Sequence, residues 1–212
     1  MTDTREKATS AERLVMFTDA VAAIALTLLI LPLLETIADA RGADHPSFGD
    51  LVTDNLGQFG AFALSFAVIF RFWWAHHRLF EHIAALHPVL VRLSVVWTFA
   101  IVVLPIPTAI ITAYDASPGS VALYGGTLIL ASGSLTLMAW YAHRHPELSE
   151  GRTPETREMV LANVAVLCAQ VIAVVIGSIY ADQIGFFAFL LMFLAGPIEA
   201  TVKARWRRQS AV

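Results

Sequence analysis

The sequence predicts an all-helical integral membrane protein, a single domain of residues 1–212 that crosses the bilayer six times. Hydrophobic residues make up 57% of the chain and charged residues only 15%. A water-soluble domain carries roughly a quarter charged residues. The apolar residues also come in long blocks rather than along one face of each segment, which is typical of helices surrounded by lipid.

Six apolar blocks each approach the ~20 residues that a helix needs to cross a bilayer. We call them spans 1 to 6, at about residues 14–35, 57–78, 89–113, 121–142, 159–180 and 184–202. Polar or turn-rich segments separate them. Pro105 and Pro107 in span 3 and Pro197 in span 6 are compatible with this prediction, because membrane helices tolerate proline better than soluble ones.

Lysines and arginines lie almost entirely on one side of the predicted membrane. They precede span 1, flank the span 2–3 and span 4–5 connections and follow span 6: Arg5, Lys7, Arg13, Arg78, Arg92, Arg144, Arg152, Arg157, Lys203, Arg205, Arg207 and Arg208. The other side has only Arg41. Because cytoplasmic loops carry the excess of basic residues, we expect both termini in the cytoplasm and the protein in the cell membrane, surrounded by lipid.

The N-terminal region also resembles a cleaved signal peptide that ends near Ala38-Asp39-Ala40. The apolar core of a signal peptide is about 7–15 residues long. Span 1 is longer and contains Asp19, so we expect it to be retained.

The composition argues against two other properties. The net charge is −3 and the basic residues form no stripe, so no nucleic-acid partner is expected. The single cysteine, Cys168, lies within an apolar block, which excludes an intramolecular disulfide and favours a small buried hydrophobic residue.

Span 1 has two different faces at 100° per residue. One is a stripe of bulky side chains with a charge near each end: Arg13, Phe17, Ile24, Leu28, Leu31 and Glu35. Asp19 lies on the opposite face. A carboxylate within a span is costly unless it is paired or wet, so Asp19 either accepts hydrogen bonds from the inner ends of spans 2 and 3 or sits in the interfacial layer. Pro32 cannot donate to the Leu28 carbonyl, which predicts a kink.

Three segments resemble a known family. Span 1 carries Arg13, Phe17, Thr18 and Asp19, then Ala20-Val21, Ala23-Ile24 and Thr27-Leu28-Leu29. This pattern resembles the Arg-x-x-x-Phe-Ser-Asp motif of the transmembrane protein 175 family of potassium channels, with Thr18 in place of the usual serine. Pro32 stands where bacterial members often have an acidic residue. Leu64-Ser65-Phe66 and Phe72–Phe80 are similar to the family's second helix, and Leu104–Ala109 to its third.

The resemblance implies a homotetrameric channel with span 1 lining a central pore. Members lack a glycine-rich selectivity loop, and this chain has no Thr-Val-Gly-Tyr-Gly segment. The implied constriction is formed by Ile24, Leu28 and Leu31, and it passes potassium ions without a cofactor. Such an aliphatic ring gates by repelling water until it widens. Glu35 would then lie at the outer mouth, where it raises the local cation concentration or is simply a solvated helix end.

The motif residues Arg13, Phe17, Thr18 and Asp19 are expected to fix span 1 against its neighbours rather than to touch ions. Trp73 and His77, one turn apart on span 2, are the expected partners of Asp19, together with Arg13 or Trp97. A second cation within span 2, Arg71, either pairs with Asp19 or Glu199 or extends to the lipid headgroups.

Three alternatives to a potassium channel were considered. An enzyme is suggested by histidines near the inner ends of spans 2 and 4, namely His76, His77, His82, His87, His143 and His145. Their spacing does not match a metal centre, so we expect no catalytic or metal-binding residues. A small secondary transporter would normally show repeats and broken helices. A less selective monovalent cation or proton leak channel is compatible with the same pore.

Overall fold

The computed structural model describes residues 2–40, 47–114, 117–149, 151–152, 154 and 156–180, with side chains from Ser10 onward. The regular elements in these residues are all helices, which confirms the predicted all-helical class. The α-helices are α1 (Thr2–Leu28), α2 (Leu31–Ala40), α3 (Phe48–Asp54), α4 (Leu56–Glu81), α5 (Pro88–Val103), α6 (Pro105–Ala113), α7 (Pro118–Arg144) and α8 (Arg157–Ile179). A short 3₁₀ helix covers Pro146–Ser149.

Five helical segments in the described residues are long and apolar enough to cross a bilayer, so the protein is a multi-pass membrane protein. They are Ser10–Ala40, Leu56–Glu81, Pro88–Ala113, Pro118–Arg144 and Arg157–Ile179, at the positions of predicted spans 1 to 5. Predicted span 6 (184–202), with Pro197, Glu199 and the basic residues after it, lies outside the described residues, as does Arg41.

Local hydrogen bonds define where the spans begin. Ser117 and Ser120 form a capping box at the start of span 4, and Pro118 occupies its first turn, where no N–H is needed. The Thr156 side chain accepts the Met159 N–H at the start of span 5. His87 caps span 3 by accepting the Val89 N–H at 3.3 Å.

Span 1 is interrupted between Leu28 and Leu31, as Pro32 predicted. Leu29 and Ile30 form a turn in which the Ile30 N–H reaches the Thr27 carbonyl at 3.3 Å. The missing N–H of Pro32 removes one helical hydrogen bond at this point. Beyond the turn the helix continues to Ala40, further than the predicted end at residue 35, because residues 36–40 contain no helix breaker.

Span 4 occupies the centre of the protomer, against spans 3 and 5, while span 1 packs on spans 2 and 3. The fully buried core consists of large side chains from spans 2, 3 and 4, including Ile69, Leu90, Trp97, Ile101, Leu104, Tyr124, Leu128 and Met138. The outward faces of the spans instead carry exposed apolar residues such as Phe99, Leu137 and Ile172. This inside–outside pattern is the one that a lipid solvent permits.

Candidate functional site

The two faces of span 1 are distinguished by packing in the protomer. One face is buried against spans 2 and 3 and carries mostly small residues: Ala11, Thr18, Ala22, Ala25, Leu29 and Leu33. Small side chains let helix backbones approach closely in a membrane. The buried face fixes how span 1 is rotated, and hence which residues it leaves open.

The residues predicted to form the constriction all lie on the open face. Ile24 is 59% exposed, Leu28 41% and Leu31 48%. Glu35 is exposed one turn further on. Leu28 ends the N-terminal segment of span 1 and Leu31 begins the C-terminal one, so the interruption of the helix lies within this aliphatic group.

Asp19 is held from span 2. The Trp73 Nε1–H donates to Asp19 Oδ1 at 2.8 Å. His77 Nδ1 lies 3.5 Å from Asp19 Oδ2, an electrostatic approach without hydrogen-bond geometry. The rings of Trp73 and His77 lie beside each other, with their centroids 5.7 Å apart. The structure thus brings together Asp19 and the two side chains chosen as its partners.

The other expected motif contacts are not made among the residues that the structure describes. Arg13 and Phe17 lie on the exposed face of span 1, away from Asp19. The buried hydroxyl of Thr18 donates within its own helix to the Val15 carbonyl at 2.9 Å. Trp97 is buried but stacks on His76 at 4.1 Å between ring centroids. His76 and His77 point about 100° apart on span 2. Trp97 contacts His76, whereas His77 is the histidine beside Asp19.

Arg71 does not share the Asp19 site. The described contacts of Asp19 are with Trp73 and His77. Arg71 is half-buried. Its other predicted partner, Glu199, lies outside the described residues.

A buried hydroxyl network, which the sequence reading missed, joins spans 2, 3 and 4. The Thr108 hydroxyl donates to Ser65 Oγ at 2.9 Å, and the Ser65 and Tyr124 hydroxyl oxygens are 3.3 Å apart. Thr108 follows the interruption of span 3 at Leu104. The sequence did mark two of these residues, because Ser65 and Thr108 belong to the segments that resemble the family's second and third helices.

Two of the histidines near the span 2–3 and span 4–5 connections make contacts within or between these connections. His87 Nδ1 lies 2.8 Å from the Tyr141 hydroxyl, and His145 Nδ1 lies 2.8 Å from Glu147 Oε1. A hydrogen bond from its own backbone N–H, and then that from His145, hold the pKa of the Glu147 carboxyl below its usual range. No group of three or more His, Cys, Asp or Glu residues in the described part of the chain is arranged to hold a metal ion.

A cavity of about 380 Å³ opens beside Asp19, between the N-terminal part of span 1 and the C-terminal end of span 2. Its wall is mostly apolar, with charged groups at Asp19, Glu12, Glu81 and Arg152, and with His77 beside them. The cavity lies between the Asp19 contacts and the end of span 2.

Comparison with known proteins agrees with this arrangement. The sequence model of the family described as endosomal/lysosomal potassium channel TMEM175 matches residues 13–105. A protein described as a potassium channel from Streptomyces collinus is 29% identical over 151 residues, which cover 66% of this chain and 68% of that protein. The protein described as the endosomal/lysosomal proton channel TMEM175 of Bos taurus is 43% identical over 79 residues, only 16% of its length.

The fold has a counterpart among solved structures. The crystal structure of a lysosomal potassium-selective channel TMEM175 homolog from Chamaesiphon minutus superposes with a TM-score of 0.70 and 18% identity, covering 90% of this chain and 98% of that one. The motif-bearing half of the chain, its relatives and its fold therefore agree. By sequence over residues 13–105 and by fold over most of its length, the chain is similar to ion channels of the TMEM175 family rather than to an enzyme.

Proposed function

We propose that this chain is one protomer of a potassium-permeable channel in the cell membrane. Four copies surround a central pore lined by span 1, and both termini face the cytoplasm. The match of residues 13–105 to the family model and the description of the Streptomyces collinus relative as a potassium channel support the permeant ion. The distribution of lysine and arginine supports the orientation.

The observation that carries the proposal is the open aliphatic face of span 1. Ile24, Leu28 and Leu31 are exposed in the protomer while the opposite face is packed against spans 2 and 3. Fourfold assembly around that face brings twelve aliphatic side chains toward one axis, three from each of four copies. A ring of this kind sheds water when narrow and conducts when it widens.

The chemistry of the constriction accounts for a modest ion preference. An aliphatic ring offers no oxygen to replace water, so an ion that passes it must be partly dehydrated. Potassium gives up water more readily than sodium, which favours potassium without a cage of carbonyl groups. Glu35, exposed beyond Leu31, raises the concentration of cations at the outer mouth.

The test is the reversal potential of the purified protein in proteoliposomes under potassium and sodium gradients. Leu28→Ala and Leu31→Ala are expected to raise conductance and weaken the preference for potassium. Leu137→Ala is the matched control, because Leu137 is equally exposed but lies on span 4. Unchanged permeation in both span 1 variants would falsify the constriction.

A second candidate is a proton or weakly selective cation leak through the same pore. It is favoured by the description of the bovine relative as a proton channel. A pH gradient in the same proteoliposomes separates the two, since a proton pathway shifts the reversal potential with pH at constant potassium. A small secondary transporter would instead show flux that requires a coupled ion.

A further inference from the structure

Arg152, in the connection between spans 4 and 5, caps the inner end of span 2. Its Nη1 donates to the carbonyl oxygens of Phe80 at 3.0 Å and Ile83 at 2.9 Å, and lies 3.5 Å from that of Glu81. The last carbonyls of a helix have no partner within the helix. A cation there also complements the helix dipole.

The same connection also forms hydrogen bonds with the turn after span 2. The backbone N–H groups of Ala84 and Ala85 both donate to the Leu148 carbonyl, at 2.9 and 3.0 Å. Leu148 belongs to the 3₁₀ helix that precedes Arg152. The inner end of span 2 is therefore held by two independent points of one connection.

This end of span 2 lies close to the residues that hold span 1. His77 is one turn before the carbonyls that Arg152 binds, and Trp73 is one turn before His77. Asp19, His77, Phe80, Ile83 and Arg152 line one cavity. A shift of the end of span 2 therefore changes the contacts of Asp19 without passing through the tightly packed core.

We infer that Arg152 is a positioning residue for the pore-lining span. It fixes the end of span 2 so that Trp73 and His77 hold Asp19, and the span 4–5 connection thereby sets the position of span 1. The inference rests on the proposed function for its link to conduction. It makes the span 4–5 connection the place where a cytoplasmic signal would act on the pore.

Three substitutions test it. Arg152→Met keeps the length of the side chain and removes every donor, Arg152→Lys keeps a cationic donor, and Arg144→Met removes an exposed arginine that packs over Trp140 on span 4. In single-channel recordings Arg152→Met is expected to change the open fraction roughly tenfold, by the size of a charged hydrogen bond. Unitary conductance and reversal potential are expected to stay unchanged in Arg152→Met. Arg152→Lys is expected to keep most of the wild-type open fraction, and Arg144→Met is expected to behave as wild type.

A double-mutant cycle with Asp19→Asn separates positioning from general destabilisation. If Arg152 acts through Asp19, the effects of Arg152→Met and Asp19→Asn on the open fraction are not additive, whereas Arg144→Met and Asp19→Asn add. Additive effects of Arg152→Met and Asp19→Asn, or a wild-type open fraction in Arg152→Met, overturn the inference.

Amide hydrogen exchange gives a measurement that does not depend on current. Arg152→Met is expected to accelerate exchange at residues 77–85 and also at residues 15–20 of span 1. Acceleration confined to residues 77–85 overturns the inference even if the protein conducts. A wild-type protein that carries no potassium current, but shows both accelerations in Arg152→Met, contradicts the proposed function and leaves the positioning role supported.

Discussion

Asp19 shows at the scale of single residues how a charge is accommodated within span 1. It accepts one well-formed hydrogen bond, from Trp73, and has His77 close by. The aliphatic side chains of the open face, Ile24, Leu28 and Leu31, have no polar group with which to make such a contact. Asp19 therefore attaches span 1 to span 2, and the aliphatic residues stay open for the proposed pore.

Replacing Asp19 tests that division. Asp19→Asn keeps an oxygen acceptor for the Trp73 N–H, whereas Asp19→Ala removes it and is expected to destabilise the protein by about 1–2 kcal/mol. The measurements are thermal unfolding and tetramer retention in detergent, together with potassium flux. Asp19→Asn should keep near wild-type stability and assembly, with a shifted open fraction because the charge beside His77 is removed, whereas Asp19→Ala should lose assembly and flux. Normal behaviour of both variants contradicts an anchoring role.

The partners of Asp19 were predictable only in part. Trp73 and His77 both approach Asp19 because they lie one turn apart on one helix face, and that spacing is visible in the sequence. Trp97 was not a partner, because sequence does not reveal how span 3 is rotated against span 2. The cap formed by Arg152 was also missed, since its acceptors are backbone carbonyls about 70 positions away, which leave no trace in residue identity.

Among the elements, span 3 depends on a polar contact deep in an apolar environment. Its helix is interrupted at Leu104, and Thr108, one turn later, bonds to Ser65 on span 2. Hydrogen bonds between membrane helices contribute modestly on average. This one is fully buried and connects onward to Tyr124, so its loss shortens a chain of hydrogen bonds in an apolar environment.

Thr108→Val tests the contribution of this network. Valine matches threonine in shape, so the variant removes the hydroxyl and is expected to cost about 1–2 kcal/mol. The measurement is the shift of the thermal unfolding midpoint in detergent. Thr112→Val is the control, because the Thr112 hydroxyl bonds only within its own helix, to the Ala109 carbonyl. Equal midpoints for the two variants contradict a role for the network.

The long elements were predictable and the short ones were not. Blocks of apolar residues predicted the five described spans, and Pro32 predicted the interruption of span 1. The helix Phe48–Asp54 and the 3₁₀ helix Pro146–Ser149 were read only as connections. Their stability comes from local caps, such as the Ser47 and Asp50 capping box, rather than from an apolar period.

For the whole molecule, the proposed orientation follows from basic residues that the fold places at one end. Arg78, Arg144 and Arg152 lie at the inner ends of spans 2 and 4 and in the connection that follows, while Asp54 lies between spans 1 and 2 at the opposite end. Charge distribution sets topology during insertion. Because successive spans cross in opposite directions, the span 2–3 and span 4–5 connections lie on the same side of the membrane.

Cysteine labelling tests the orientation. In a Cys168→Ser background, which removes the only native cysteine, Asp54→Cys is expected to react with an impermeant maleimide on intact cells. Glu147→Cys is expected to react only after the membrane is permeabilised, and labelling of both variants at that stage is the control. Labelling of Glu147→Cys alone on intact cells reverses the proposed topology.

The interruption of span 1 after Leu28 has a mechanical consequence in the proposed tetramer. It divides the pore wall into an inner rod, clamped near its base at Asp19, and an outer rod that begins at Leu31. Tilting the outer rod about this joint dilates the Leu31 ring while the Leu28 ring keeps its radius. The Leu28 and Leu31 rings are then two constrictions in series that open separately. The contacts of Asp19 control the Leu28 ring, and the helix interruption controls the Leu31 ring.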